Sequence, residues 1–252
     1  MELDKKINFI AKWIKDYAIK SKQQALIVGV SGGIDSALTS LLCAKTKLRT
    51  IAVSIPIHQH INELNNSNIH LDWLCKNYKN VQPITIELTK LLNLYTELIP
   101  KDFQTDLGFA NSRSRMRMMT LYQIASKERG LVVGTGNKVE DFGIGFFTKY
   151  GDGGVDISPI ADLTKTEVRE LAKFCQINQN ILSAPPTDGL WQDEKTDEDQ
   201  IGASYEELEW AMEYSYTDDL NGREKEVLEI YRNLNEQNQH KINPIPVCKI
   251  PK

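Results

Sequence analysis

Two acidic residues stand where chemistry on a phosphate would need them. Asp35 follows Ser31-Gly32-Gly33-Ile34 and stands just before a helical pattern that runs from Ser36 to Ala44. Glu140 lies four residues beyond Gly134-Thr135-Gly136, a second glycine-rich loop. Each loop leaves an apolar run, Leu26-Ile27-Val28-Gly29-Val30 in the first case and Leu131-Val132-Val133 in the second, that reads as a buried parallel strand. Gly32 and Gly33 lack a Cβ, so their main chain can approach an anion closely. The free N–H groups opening the next helix add donors and a favourable dipole. Asp35 then suits a magnesium ligand beside those phosphates. Glu140 either shares that ion across the crevice, since a hard cation bridging phosphates takes one or two carboxylates, or is a solvated loop acid. The first loop is not a Walker A, because no Gly-Lys-Ser/Thr follows Gly29 at the required spacing, and it is not Gly-x-Gly-x-x-Gly.

The elements that must position these residues alternate in type. An amphipathic helix is expected over 1–20 (Ile7, Ile10, Ile14, Tyr17), then the first strand, and a second strand Thr50–Ile55 closed by Pro56. A helix over 62–79 and a strand over 84–88 follow, then a helix over 106–129 and a strand over 131–134. Helices over 164–174, 204–213 and 222–234 lead to a tail with His240, Lys241 and Pro244. Such alternation predicts an α/β fold, a parallel sheet with helices on both faces and its crevice at the carboxyl ends of the strands. Both glycine-rich loops fall on that edge. Thr164 and Glu167 form a capping-box pattern, and Lys165 in the same first turn opposes the helix dipole, which a phosphate partner would explain. The stretch 145–156 is too glycine-rich for a helix and too aromatic for a linker, so it reads as a binding loop. Residues 183–200, polar, acidic and broken by prolines, read either as a lid carrying Thr187 and Trp191 or as a solvated loop.

Composition narrows the class. The 252 residues are 41% hydrophobic and 25% charged, ordinary for one globular domain over 1–252. A formal charge of −4 gives no general attraction to nucleic acid or anionic lipid. Cys43, Cys75, Cys175 and Cys248 form no C-x-x-C pair, which removes zinc-ribbon and thioredoxin-type readings and fits free thiols in a reducing cytoplasm. No apolar run reaches about 18 residues, so neither a signal peptide nor a membrane span is expected.

Ser31-Gly32-Gly33-Ile34-Asp35-Ser36 resembles the pyrophosphate-binding loop of the ATP pyrophosphatases, which cleave ATP between its α and β phosphates. Further motifs narrow the resemblance to the ammonia-dependent NAD synthetase family. They are Arg-Ser-Arg-Met-Arg-Met-Met around Arg115, Val-Gly-Thr at 133–135, Phe-Phe-Thr-Lys-Tyr-Gly-Asp-Gly-Gly-Val-Asp-Ile at 146–157, Pro-Pro-Thr-Asp-Gly-Leu at 185–190, and His240-Lys241. The resemblance implies an adenine nucleotide alpha hydrolase-like fold and a two-step ligation. ATP would adenylate the nicotinate carboxylate of deamido-NAD, releasing pyrophosphate, and ammonia would attack the acyl adenylate to give NAD and AMP. It further implies Gly29, Ser31, Gly32, Gly33, Asp35, Ser36, Thr135, Lys165 and Thr187 on ATP, with Asp35 and Glu140 on Mg2+. Arg115, Lys149, Asp156, His240 and Lys241 would surround deamido-NAD. Asp35, Asp156 and Lys165 would serve the chemistry, Asp156 holding ammonium or accepting its proton, since only neutral ammonia is nucleophilic. A homodimer with deamido-NAD partly at the interface is implied too, and apolar stripes on the N-terminal, 106–129 and C-terminal helices are more than one sheet face needs covered.

The residues leave plainer alternatives open: Arg115 as a surface arginine, His240 as a tail residue, Asp156 as a turn former. One departure from the family is visible. Many members carry an arginine two residues before the proline that ends the second strand, where this chain has Ser54, leaving Gln59 or His58 as substitutes. A tRNA-thiolating or GMP-forming pyrophosphatase is the nearest rival, and those that act on tRNA would call for a basic face or cysteines in a catalytic pair. A non-catalytic nucleotide module of the electron-transfer flavoprotein kind needs no facing carboxylates.

Overall fold

Among the described residues, strands β1 (Ala25–Gly29), β2 (Arg49–Ser54), β3 (Val81–Thr85) and β4 (Gly130–Val133) form one parallel sheet in the order β3-β2-β1-β4. The coordinates are a computed structural model that describes residues 1–187, 196–215 and 220–251. Ile27 of the central strand β1 sits between Ile51 and Val132 of its neighbours. Alternate side chains take opposite faces of a strand. Leu26 and Val28 therefore enter one core with α1 (Leu3–Lys20), α2 (Ile34–Lys45) and α6 (Lys165–Phe174), while Ala25 and Ile27 enter another with α4 (Thr89–Leu98) and α5 (Asp106–Glu128). Both faces are covered, which is why β1 is apolar throughout rather than alternating.

A third, smaller core gathers Val139, Ile144, Tyr205, Leu208, Val227 and Leu228. Beyond the short helices α7 (Gln179–Leu182) and α8 (Asp197–Ile201), it joins α9 (Tyr205–Glu213) and α10 (Gly222–Ile242) to the segment that follows β4. That segment, Lys138–Ile144, winds as a π-helix, a rare form that is frequent at functional sites.

Several expectations are corrected here. β3 begins at Val81 rather than 84 and carries Pro83, which the sheet tolerates because β3 is an edge strand. α4 was not expected, since its N-cap Leu88 makes no side-chain cap bond and its first turn carries no acid, so no local start signal marks it. α3 (Ile61–Asn77) lies close to its predicted span, but α10 continues eight residues past 234. His240 and Lys241 thus belong to the last turn of a helix and not to a tail. Beyond the second loop the chain returns along β4, with Ile157 bridged to Val133.

Candidate active site

The first loop is closed by its own serines. Ser36 Oγ donates to the Gly33 carbonyl at 2.9 Å and accepts from the Ser31 N–H at 3.2 Å, and the Gly33 N–H donates to Ser31 Oγ. Gly32 has φ +99°, and a Cβ there would lie 2.2 Å from the Glu63 carbonyl of α3, so this turn needs glycine. Gly33 is the N-cap of α2 and makes no side-chain cap bond, leaving the helix start directed at the crevice with its N–H groups for a ligand.

Asp35 and Glu140, expected to share a site, are brought together by Lys165. Its Nζ lies 2.7 Å from Asp35 Oδ2 and 2.9 Å from Glu140 Oε1, and its side chain is 4% exposed. α6 packs on α2, which aims the first turn of α6 at the first turn of α2. The Tyr205 hydroxyl donates to Glu140 Oε1 at 2.5 Å, and the Tyr205 ring lies 4.7 Å beneath Lys165 Nζ, a cation–π contact. Asn137 donates its Nδ2 to Asp35 Oδ1 at 3.1 Å. Burial pushes the Asp35 carboxyl above its ordinary value against the pull of Lys165. In Glu140 burial is outweighed by Lys165 and by the Tyr205 phenol, and the group is held low. Burial would lower Lys165, but the two carboxylates hold it above its ordinary value. Two carboxylates against one ammonium leave an unbalanced negative charge at the mouth of a phosphate loop, an oxygen-only donor pair suited to a hard divalent cation. Among the described residues no three His, Cys, Asp or Glu side chains group as metal ligands, so such a cation would complete its shell with phosphate oxygens and water.

Thr135, Thr187 and Lys241 also line the crevice. Lys241 Nζ donates to the Gly145 carbonyl at 2.8 Å and the Phe147 carbonyl at 3.0 Å, and burial lowers its pKa. Arg115, Lys149, Asp156 and His240 are not part of this wall. Arg115 Nε donates to the Lys149 carbonyl, the Lys149 ammonium donates to the His240 carbonyl, and the His240 ring lies 3.0 Å from the Gln237 carbonyl. Asp156 is pinned beside β4, accepting from the Val132 N–H at 2.7 Å and the Tyr122 hydroxyl at 3.0 Å. Trp191 and the middle of the expected lid lie outside the described residues.

The crevice wall that includes Ser54 carries an arginine from another element. Arg117 of α5 donates through Nε to the Ile55 carbonyl at 3.1 Å and through Nη2 to Gln59 Oε1 at 3.0 Å, on the crevice wall. Gln59 therefore orients a guanidinium, whereas the exposed His58 turns to Asn93 Oδ1 at 2.7 Å. Sequence reasoning gave no role to Arg117, Asn137 or Tyr205. Arg117 lies inside the motif quoted around Arg115, and Asn137 carried a local signal, the N-cap spacing Asn137-x-x-Glu140.

A parallel sheet whose carboxyl edge carries a serine-glycine phosphate loop, faced by two carboxylates and a buried lysine, defines a nucleotide-binding protein of the adenine nucleotide alpha hydrolase-like fold. A family model described as NAD synthase matches residues 6–245. The NH(3)-dependent NAD(+) synthetase of Alkaliphilus metalliredigens is 34% identical over 242 residues, covering 91% of this chain and 93% of that one. Among solved structures, the NMN synthetase from Francisella tularensis superposes with TM-score 0.89 at 27% identity, covering 99% of this chain and 100% of that one. The NH3-dependent NAD synthetase from Campylobacter jejuni shares the fold, with TM-score 0.79 at 24% identity over 99% and 100%. The chain belongs to the NAD synthase family.

Proposed function

We infer that this chain is an ammonia-dependent NAD+ synthetase, a ligase that consumes ATP, ammonia and deamido-NAD. The observation that carries the reading is the meeting of Asp35 and Glu140 at Lys165 Nζ, from two separate loops, over the first-loop phosphate cradle. A carboxylate is a poor electrophile at neutral pH, so the nicotinate oxygen attacks the α-phosphorus of ATP and the bond to pyrophosphate breaks. Ammonia then attacks the acyl carbon, sheds a proton, and AMP departs with the electron pair of the broken C–O bond. Residues 29–36 hold the phosphates, Thr135 and Thr187 flank the nucleotide, and Lys165 steadies charge on the phosphates, a mode of catalysis that is mostly positioning and electrostatics. Asp35 and Glu140 would hold Mg2+, whose part is to neutralise phosphate charge. Arg115, Lys149, Asp156, His240 and Lys241 form the proposed deamido-NAD region, Lys149, His240 and Lys241 by shaping the loop 145–149.

A homodimer, in which a second copy completes the dinucleotide site, is part of the proposal. The surface offers the means. Leu94, Leu98, Phe103, Leu107 and Met119 are exposed across α4, α5 and the turn between them, with Leu98 at 70% and Phe103 at 78%. α10 exposes none of its large apolar residues, so the surplus sits on α1, α4 and α5. The whole reaction is assigned to one domain over 1–252. Free cysteines, and no helix among the described residues long and apolar enough to cross a membrane, support a place in the cytoplasm.

A second reading is favoured by the TM-score of 0.89 with the Francisella NMN synthetase: the same chemistry on nicotinate mononucleotide. One assay separates them. Purified chain receives ATP, Mg2+ and either deamido-NAD or nicotinate mononucleotide, with ammonium or glutamine as the nitrogen source. AMP and NAD in equal amounts from deamido-NAD and ammonium is the expected result. Faster AMP formation from the mononucleotide would move the substrate, and equal rates with glutamine would sink the ammonia dependence.

A further inference from the structure

We propose that Asn137 is the positioning residue that sets how Asp35 and Glu140 face each other, by tying the first loop to the helical turn of the second. The proposal rests on the reading above, in which those two carboxylates hold the metal.

Asn137 is fully buried, and both ends of its amide are spent. Oδ1 accepts from the N–H groups of Val139 and Glu140, each at 3.1 Å, which caps the turn that carries Glu140. Two N–H donors converging on one end make that end the oxygen, so the other is the NH2 group. This NH2 group donates to Asp35 Oδ1 at 3.1 Å, while Lys165 takes Asp35 Oδ2 at 2.7 Å. With each oxygen held by a different donor, the plane of the Asp35 carboxylate is fixed. Glu140 is held through its backbone by Asn137 and through Oε1 by Lys165 and Tyr205, and the Asn137 amide also acts on its carboxylate.

Charge explains why an amide does this. A second ammonium here would cancel the negative charge a cation needs, and a third carboxylate would repel Asp35. A neutral group that accepts from the helix start and donates to a carboxylate orients both acids without altering the balance. Partners that orient metal-binding carboxylates are typically worth about 10- to 100-fold in affinity or activity.

Capping and bridging can be separated by substitution. Asn137→Asp keeps an acceptor for the two N–H groups but turns an acceptor toward Asp35. Asn137→Ser keeps an N-cap side chain too short to reach Asp35. Melting curves are recorded for wild type and both variants, alone and with ATP across a Mg2+ titration, beside AMP formation at saturating ATP. The expected result is melting of the free variants within a few degrees of wild type. AMP formation should fall at least ten-fold, and the Mg2+ needed for half the ATP-induced melting shift should rise at least five-fold. A variant with wild-type rate and wild-type Mg2+ midpoint overturns the proposal. Loss of the melting transition in both variants overturns it too, because capping alone then accounts for the residue. Should wild type form no AMP from either nicotinate substrate, the reaction assignment fails, while the Mg2+ midpoints still judge Asn137. A wild type whose melting with ATP ignores Mg2+ ends the proposal.

Discussion

At the scale of single residues, burial and charge pairing decide what each group can do. Asp35 lies where its carboxyl is pushed up by burial and pulled down by Lys165, so the fold gains little from its charge. Asp35→Asn should keep the melting temperature within a few degrees while cutting pyrophosphate release by about 10²–10³, the scale for removing one preorganised electrostatic contact. Wild-type release from that variant would remove Asp35 from the chemistry. His70 shows the opposite case, a titrating group with no part in the site. It is buried against Ser40 Oγ at 2.9 Å and stacked on Trp73, and burial lowers its imidazole from 6.5 to about 4. Between those pH values the unfolded chain binds a proton that the folded one refuses, so stability falls as pH drops through that window. The loss should approach about 3 kcal/mol by pH 4. Denaturant unfolding at a series of pH values measures it, and His70→Gln should flatten that limb.

Among the elements, α10 is the brace of the site. Asn235 donates to the Gly143 carbonyl at 2.6 Å, Asn238 to Ile144 at 2.8 Å, and Lys241 to Gly145 and Phe147. Lys241→Met fills similar space but strands two carbonyls, so it should cost about 1–3 kcal/mol and speed hydrogen exchange over 143–149. Unchanged exchange there would show that the helix does not brace the loop. The strands around both glycine loops, and the helices starting near 62, 106, 165 and 205, were legible because their apolar spacing and caps are local. α4 was not, since it starts from Leu88, which offers no capping side chain to mark the helix in the sequence. The π-helix after Asn137 has a period that no helical or strand pattern counts. Arg117 and Tyr205 become functional only by meeting Gln59 and Glu140 across the fold, which spacing cannot express.

For the whole molecule the open apolar face on α4 and α5 sets the expectation. Light scattering over a dilution series should give twice 28.6 kDa, and Leu98→Glu with Phe103→Glu should halve the mass and abolish turnover together. A fully active species near 28.6 kDa would confine the dinucleotide to one chain. The brace has a different consequence for how this sequence tolerates change. Asn235, Asn238 and Lys241 all grip main-chain oxygens, which every amino acid possesses. The constraint therefore falls on the helix that grips and on Gly145, where a Cβ would meet Asn238 at 2.4 Å. In a saturation library scored for folding alone, Ile242's neighbours on the gripping face should be intolerant. Phe147, which enters none of the three cores, should be freer than Phe146, packed on the third core, or the buried Thr148, whose hydroxyl donates to Asn111, so that selection for catalysis, and not for folding, is what writes its identity.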